Sequence, residues 1–158
     1  MFEIMPAVAT NAAQIAEFWN PIIRDTHVTF ATTEKSIDDL VAMIDGRPFF
    51  VAKDGDQILG FATYGQFRSG NGYAYAMEHT IIMAPTARGR GVGRALMEVI
   101  ENHARDARVH TMIAAVSAEN SDGIGFHARL GYKDVARIPE VGRKFDMWLE
   151  LVIMQKIL

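Results

Sequence analysis

The sequence contains no cysteine and no long hydrophobic run, and both absences narrow its possible functions. Because none of its 158 residues is cysteine, disulfides, a thiolate nucleophile and cysteine-ligated zinc are excluded. No run of about 18 apolar residues occurs, which predicts that the chain does not span a membrane. The N-terminal segment lacks a basic region followed by an apolar one, so we expect no secretory signal and a cytoplasmic location.

A strong excess of charge of either sign is also missing. The net charge is −3 with 22% charged residues, which argues against a general nucleic-acid partner. Hydrophobic residues make up 49% of the chain, which suits one domain with a substantial core, and we predict a single domain over residues 1–158. His27, His103 and His110 lack metal-ligand spacing, so no metal is expected.

Helix and strand signals alternate along the chain and predict a mixed α/β domain. An edge strand containing Pro6 is followed by a helix that begins after Thr10 and ends before Pro21. A second helix begins after Ser36, and two β-prone stretches joined by "DGDQ" predict a hairpin. The second half of the chain predicts strand, glycine loop, helix, strand, helix and then further strands.

The stretch "APTARGRGVGRALMEVIENHA" at residues 84–104 is the most informative local pattern. Exposed N–H groups at the start of a helix favour bound phosphate, and a solvated turn with surface arginines is the alternative. The nucleotide-binding patterns fit poorly, since Arg94 and Ala95 replace the Lys and Ser/Thr of a triphosphate loop. The glycine spacing and the lack of an acidic residue ending the next strand do not match dinucleotide binding. The residues of this predicted phosphate cradle are Arg88, Gly89, Arg90, Gly91, Val92, Gly93 and Arg94.

Arg88-x-x-Gly91-x-Gly93 matches the pyrophosphate-binding signature of the GNAT N-acetyltransferases, usually written Gln/Arg-x-x-Gly-x-Gly/Ala. The segments "MEHTIIM", "HTMIAAVSAENSDGIGFHARLGY" and "EVGRKFDMWLELVIMQ" resemble the branch that acetylates phosphinothricin and methionine sulfoximine. The resemblance implies a mixed, mostly antiparallel sheet of about seven strands, flanked by about four helices and splayed where acetyl-CoA binds. It also implies acetyl-CoA-dependent transfer to the amino group of a small amino-acid-like substrate, by a homodimer.

The same resemblance assigns roles in acetyl-CoA binding. The backbone of Ile81, Ile82 and Met83 would pair with the pantetheine arm, and N–H groups around Met83 would polarise the thioester carbonyl. Asn120 would hydrogen-bond the same arm, although a helix N-cap is an equally good role for it. His127 stands where many relatives carry a tyrosine that protonates the leaving thiolate, and a solvent water is the alternative proton donor.

Acetyl transfer to an amine also needs a base, because an amino group is mostly protonated at neutral pH. Glu78 is the first candidate, acting directly or through water, since burial beside an apolar strand raises the pKa of a carboxyl group. An ordinary carboxylate paired with a nearby cation is the alternative. His79 is the second candidate, but neighbouring strand side chains point to opposite faces, so only one of the two would face the site.

The predicted acceptor site combines a loop with a segment near the end of the chain. A loop arginine could pair with the α-carboxylate of an amino acid in bidentate fashion, and full solvation of that arginine is the alternative. By resemblance, aromatic side chains wall the pocket, and the second segment lies near a dimer interface or merely packs a strand hairpin. The predicted residues are Phe67, Arg68, Tyr73, Tyr75, Lys144, Phe145 and Trp148.

Other functions stay open. The chain could acetylate a protein N-terminus or a polyamine, although Arg68 favours a substrate with a free carboxylate. A non-catalytic acyl-CoA sensor or a nucleotide-binding module belongs to a different class, and Glu78 disfavours the sensor. Since the chain has no cysteine, an acetyl-cysteine intermediate is excluded and direct attack within a ternary complex is expected.

Overall fold

The computed structural model of the protein describes residues 1–158 and contains seven strands and four α-helices. The strands are β1 (Glu3–Pro6), β2 (Phe49–Asp54), β3 (Gln57–Gln66), β4 (Ala76–Met83), β5 (Thr111–Ser117), β6 (Lys133–Lys144) and β7 (Met147–Ile157). The helices are α1 (Ala12–Asp25), α2 (Ile37–Gly46), α3 (Val92–Asp106) and α4 (Ser121–Arg129). The strands form one mixed sheet in the order β1-β2-β3-β4-β5-β7-β6, which confirms the predicted fold class.

The chain divides into two compact units. The first comprises Met1–Asn20, Lys35–Gly65 and His79–Arg108, and the second comprises Pro21–Glu34, Gln66–Glu78 and Val109–Leu158. Strand β4 therefore contributes Glu78 to the second unit and His79 to the first. The single domain expected from the sequence stays a prediction.

The first unit is built around an aromatic cluster. Phe61 on β3 is fully buried, and the centroid of its ring lies 4.8 Å from that of Phe49 and 4.9 Å from that of Trp19. Helix α2 begins with a capping box, in which the Ser36 hydroxyl accepts from the Asp39 N–H while the Asp39 carboxylate accepts from the Ser36 N–H. This box satisfies two donors at the helix start and confirms that the second helix begins after Ser36.

The second unit is built on the antiparallel pair of β5 and β7. Their ladder runs from Thr111 opposite Ile157 to Ser117 opposite Leu151. Strand β6 pairs with the other side of β7 and forms one edge of the sheet. It extends to Lys144, with an irregular register before Gly142.

The prediction for the first helix was wrong at both ends. Helix α1 begins at Ala12, after a 3-10 turn in which the Asn11 side chain accepts from the Val8 N–H at 2.9 Å. It also continues through Pro21 to Asp25. The ring of Pro21 removes one backbone hydrogen bond, but the last turn buries Ile23 completely. Burial of apolar area favours the longer helix.

The parallel ladder between β4 and β5 is short. It runs from Ala76 opposite Thr111 to Glu78 opposite Ile113. Strand β4 continues past this ladder to Met83, and β5 also extends beyond it. The hydrogen-bonded pairing of β4 with β5 therefore ends at Glu78.

Candidate active site

The glycine loop precedes α3 and leaves the start of that helix without a side-chain cap. Gly89 and Gly91 have positive φ angles of 75° and 76°, a conformation that glycine adopts at little cost. Gly91 is the N-cap residue and no side chain accepts from the first turn of α3. The first N–H groups of a helix have no partner within it, so this turn presents donors together with the positive end of the helix dipole.

The three arginines of the loop differ in their surroundings. Arg90 donates to the Asp54 carboxylate at the end of β2. This contact, with a smaller contribution from the Met1 amino group, holds the pKa of Asp54 below its usual value. Arg88 and Arg94 are both exposed, and Arg94 makes no ion pair. Arg94 is therefore available to an anion, whereas Arg90 already has a carboxylate partner.

Strand β4 carries the two candidate bases in different environments. Glu78 is half-buried, and this burial raises the pKa of its carboxyl group. No ion pair holds the carboxylate of Glu78, so the ion-paired alternative is wrong in this structure. His79 is buried, and it points to the opposite face of the strand because strand side chains alternate.

The end of β4 lies very close to β3. The N–H of Ala84 donates to the carbonyl of Leu59 at 2.9 Å. A Cβ atom on Gly60 would lie 2.9 Å from the carbonyl oxygen of Ile82 and 2.8 Å from Sδ of Met83, so only glycine fits there without a shift. Since backbone N–H groups alternate along a strand, the N–H of Met83 points away from β3.

The loop between β3 and β4 presents the predicted acceptor residues in an ordered conformation. The N–H of Phe67 donates to the carbonyl of Ala76 at 2.9 Å and closes the base of the loop. The guanidinium carbon of Arg68 lies 5.4 Å from the ring centroid of Tyr73. Arg68, Tyr73 and Tyr75 are exposed, and Phe67 is half-buried. This loop thus places aromatic rings in the same segment as an arginine that has no carboxylate partner.

Asn120 and His127 lie at the two ends of α4. The side-chain oxygen of Asn120 accepts from the Gly123 N–H at 2.9 Å and caps the helix. This capping role confirms one of the two sequence interpretations and leaves the amide Nδ2 to donate elsewhere. His127 is buried, and its Nδ1 lies 2.7 Å from the Gly123 carbonyl. A carbonyl can only accept, so Nδ1 carries the proton and the role of His127 as an acid stays a prediction.

Lys144 and Phe145 lie where β6 turns into β7, and they differ in exposure. The side chain of Lys144 is buried, and its Nζ donates to the carbonyl of Thr29 at 2.9 Å. Burial lowers the pKa of Lys144. Phe145 is half-exposed, with its ring edge-to-face against His27 at 5.1 Å between centroids. The ammonium group of Lys144 therefore faces a backbone carbonyl. A role for Lys144 in acceptor binding stays a prediction.

Sequence reasoning missed two polar residues that contact predicted site residues. Asp54 binds Arg90, and Gln66 donates to the carbonyls of Arg68 and Gly70. An aspartate in a hairpin turn and a glutamine at a strand end are both common. No pattern in the sequence separates these two from ordinary surface residues.

No helix of the structure combines the length and the apolar character that crossing a membrane requires. No group of three or more histidine, aspartate or glutamate side chains is arranged to hold a metal ion. The homodimer and the cytoplasmic location remain predictions from the sequence.

The chain thus combines one seven-stranded mixed sheet with a glycine loop that leads into a helix without a side-chain cap. The sequence profile described as the acetyltransferase (GNAT) family matches residues 14–132 of this chain. The chain therefore belongs to the GNAT family and is an N-acetyltransferase.

Three similar proteins illustrate the range of acceptors in the family. A methionine sulfoximine/methionine sulfone acetyltransferase of Pseudomonas paraeruginosa is 33% identical, covering 96% of this chain and 92% of that protein. A ribosomal-protein-alanine N-acetyltransferase structure from Brucella melitensis has a TM-score of 0.92 at 31% identity, covering 99% of both chains. A phosphinothricin acetyltransferase structure from Sinorhizobium meliloti, in complex with acetyl-CoA, has a TM-score of 0.91 at 26% identity, covering 99% and 88%.

Proposed function

We propose that this enzyme transfers an acetyl group from acetyl-CoA to the amino group of a small amino acid, such as methionine sulfoximine or phosphinothricin. The observation that carries the proposal concerns the environment of Glu78. Its carboxyl group is half-buried and has a raised pKa, and the residue forms the last pair of the β4–β5 ladder. A carboxylate in this environment can accept a proton from an ammonium group, directly or through one water.

The glycine loop and the first turn of α3 would hold the pyrophosphate of acetyl-CoA. The fit rests on the uncapped N–H groups after Gly91 and on the exposed guanidinium groups of Arg88 and Arg94, which suit phosphate oxygens. Arg90 would support the loop rather than bind phosphate, because it is paired with Asp54. The bound thioester supplies an activated acetyl group.

The edge of β4 away from β3 would bind the pantetheine arm. Backbone groups of Ile81 and Met83 lie on this edge, because the N–H of Met83 points away from β3, whereas the carbonyl of Ile82 lies against Gly60 of β3. An N–H group in this position can polarise a thioester carbonyl. The free Nδ2 of Asn120 would donate to an amide carbonyl of the same arm.

The loop between β3 and β4 would hold the acceptor. The exposed guanidinium group of Arg68 can bind an α-carboxylate through two parallel hydrogen bonds. Phe67, Tyr73 and Tyr75 would contact the rest of the amino acid. Glu78 would then remove a proton from the ammonium group of the acceptor, and the resulting neutral amine would attack the thioester carbonyl directly in a ternary complex.

The leaving thiolate needs a proton. His127 is proposed as its source, through Nε2 of the doubly protonated imidazole, because the Nδ1 proton is held by the Gly123 carbonyl. Solvent water is the competing source of this proton.

Acetylation of a protein N-terminus is the second candidate. The similarity to a ribosomal-protein-alanine N-acetyltransferase, at 31% identity over 99% of the chain, favours it. Arg68 separates the two candidates, because a peptide N-terminus offers no α-carboxylate next to its amine.

The proposal is tested by thiol release from acetyl-CoA with a panel of amines. The panel contains methionine sulfoximine, phosphinothricin, ordinary amino acids, polyamines and alanine-initiated peptides. We expect turnover with the first two, weaker turnover with other amino acids and none with polyamines. Turnover confined to peptides would replace the proposed acceptor with a protein N-terminus.

Asn120→Asp is expected to separate the two roles of Asn120. Aspartate caps a helix as well as asparagine does but lacks the Nδ2–H donor. We expect an increase of about three- to tenfold in KM for acetyl-CoA, the equivalent of one hydrogen bond, with an unchanged thermal midpoint. Asn120→Ala should raise KM similarly and also lower the free energy of unfolding by about 1 kcal/mol.

Steady-state kinetics with varied acetyl-CoA, together with thermal unfolding, measure both effects of the Asn120 substitutions. If Asn120→Asp leaves KM unchanged while Asn120→Ala only destabilises the protein, Asn120 is a helix cap and nothing more.

A further inference from the structure

Gln66, the last residue of β3, makes two hydrogen bonds to the loop that follows it. Its Nε2 donates to the carbonyl of Arg68 at 2.6 Å and to the carbonyl of Gly70 at 2.8 Å. Both N–H groups of the side-chain amide are therefore used within the loop. Gln66 is exposed, so most glutamines in its position would be solvated and mobile.

The two carbonyls lie on either side of the segment that carries the acceptor residues. Gly70 has a φ angle of 110°, which favours glycine, and its carbonyl also accepts from the Tyr73 N–H at 3.2 Å. Gln66 thereby connects the backbone at Arg68 to the turn that places the Tyr73 ring beneath the guanidinium group.

Arg68 is held by contacts within its own loop. Its guanidinium group stacks on Tyr73, and its carbonyl is held by Gln66. No carboxylate of the chain forms an ion pair with Arg68, so its charge is uncompensated in the structure. Ordering a loop in advance removes an entropy cost from binding and strengthens it.

We propose that Gln66 is a positioning residue that sets the loop for binding the acceptor carboxylate. The inference rests on the proposed role of Arg68 and identifies the group that determines how well Arg68 discriminates between acceptors. Amines with an α-carboxylate benefit from the preset arginine, and amines without one do not. Gln66 therefore contributes to selectivity for amino acids.

Gln66→Met tests this role, because methionine keeps the length of the side chain and cannot donate a hydrogen bond. We expect KM for methionine sulfoximine to rise roughly tenfold, with kcat and KM for acetyl-CoA within about twofold of the parent values. KM for the decarboxylated amine of the same side chain should stay unchanged. Gln57→Met, at the other end of β3, is the matched control, and we expect no effect on acceptor KM.

Combining Gln66→Met with Arg68→Ala distinguishes the role of Gln66 from the role of Arg68 on which it depends. If Gln66 acts through Arg68, adding Gln66→Met to Arg68→Ala raises the acceptor KM no further. The positioning role would be overturned if Gln66→Met raised the acceptor KM of the double variant by its full amount. It would also be overturned if Gln66→Met raised KM for the decarboxylated amine as much as KM for methionine sulfoximine. If Arg68→Ala greatly raises the acceptor KM and Gln66→Met leaves it unchanged, the positioning role is also overturned, while the carboxylate role of Arg68 remains. If Arg68→Ala has no effect on acceptor KM, the carboxylate role itself fails, and this inference fails with it.

Discussion

Glu78→Gln is expected to lower kcat/KM about 100-fold or more, because general-base catalysis contributes a factor of this size. Glutamine has nearly the shape of glutamate and cannot accept the proton of the attacking ammonium group. The loss should appear in kcat, with KM for acetyl-CoA little changed. Steady-state kinetics at saturating acetyl-CoA measure it, and Glu98→Gln on the exposed face of α3 is the matched control.

The pH dependence gives this prediction a second readout. Burial raises the pKa of Glu78, so kcat/KM of the parent enzyme should rise with pH as the carboxyl group ionises. The Gln variant should lack this rise. If the variant keeps both the rate and the rise, Glu78 is not the base, and the buried His79 becomes the remaining candidate.

Stability distinguishes a lost base from a damaged fold. Since the pKa of Glu78 is raised in the folded state, its contribution to stability is fully present below the unfolded pKa. This contribution is lost as pH rises through the raised folded pKa. Glutamine carries no such dependence, so Glu78→Gln should be at least as stable as the parent protein at neutral pH. A large drop in thermal midpoint would instead attribute the lost activity to misfolding.

Gly142→Ala is expected to lower the free energy of unfolding by about 2 kcal/mol, as overpacked cores typically do. A Cβ atom on Gly142 would lie 2.4 Å from Cδ2 and 2.7 Å from Cε2 of Phe30. These distances are far below van der Waals contact, so either the ring or strand β6 must move. Urea unfolding at neutral pH measures the change.

Two further variants identify the cause of the Gly142→Ala effect. Gly46→Ala is the control, because a Cβ atom on Gly46 meets nothing within 4 Å. In a Phe30→Ala background, Gly142→Ala should cost little, since the clashing ring is gone. An equal loss in that background would mean that the clash with Phe30 is not the cause.

Features that depend on near neighbours were predictable from the sequence. The capping box of Ser36 and Asp39, three residues apart, and the glycine loop before α3 follow from local hydrogen bonding and backbone conformation. The family followed from the same loop together with the order of the elements. The end of α1 was not predictable, because a local rule about Pro21 competed with burial of Ile23, which depends on distant residues.

The sequence by itself determined the fold class, the enzyme family and the residue types of the candidate site. Only the tertiary structure decided which partners these side chains have. It paired Arg90 with Asp54, 36 residues away, and buried Lys144 against the carbonyl of Thr29, 115 residues away. Such contacts form because packing brings distant groups together and removes water from around them. Local patterns contain no record of these contacts, since the same residue types elsewhere on the surface would be solvated.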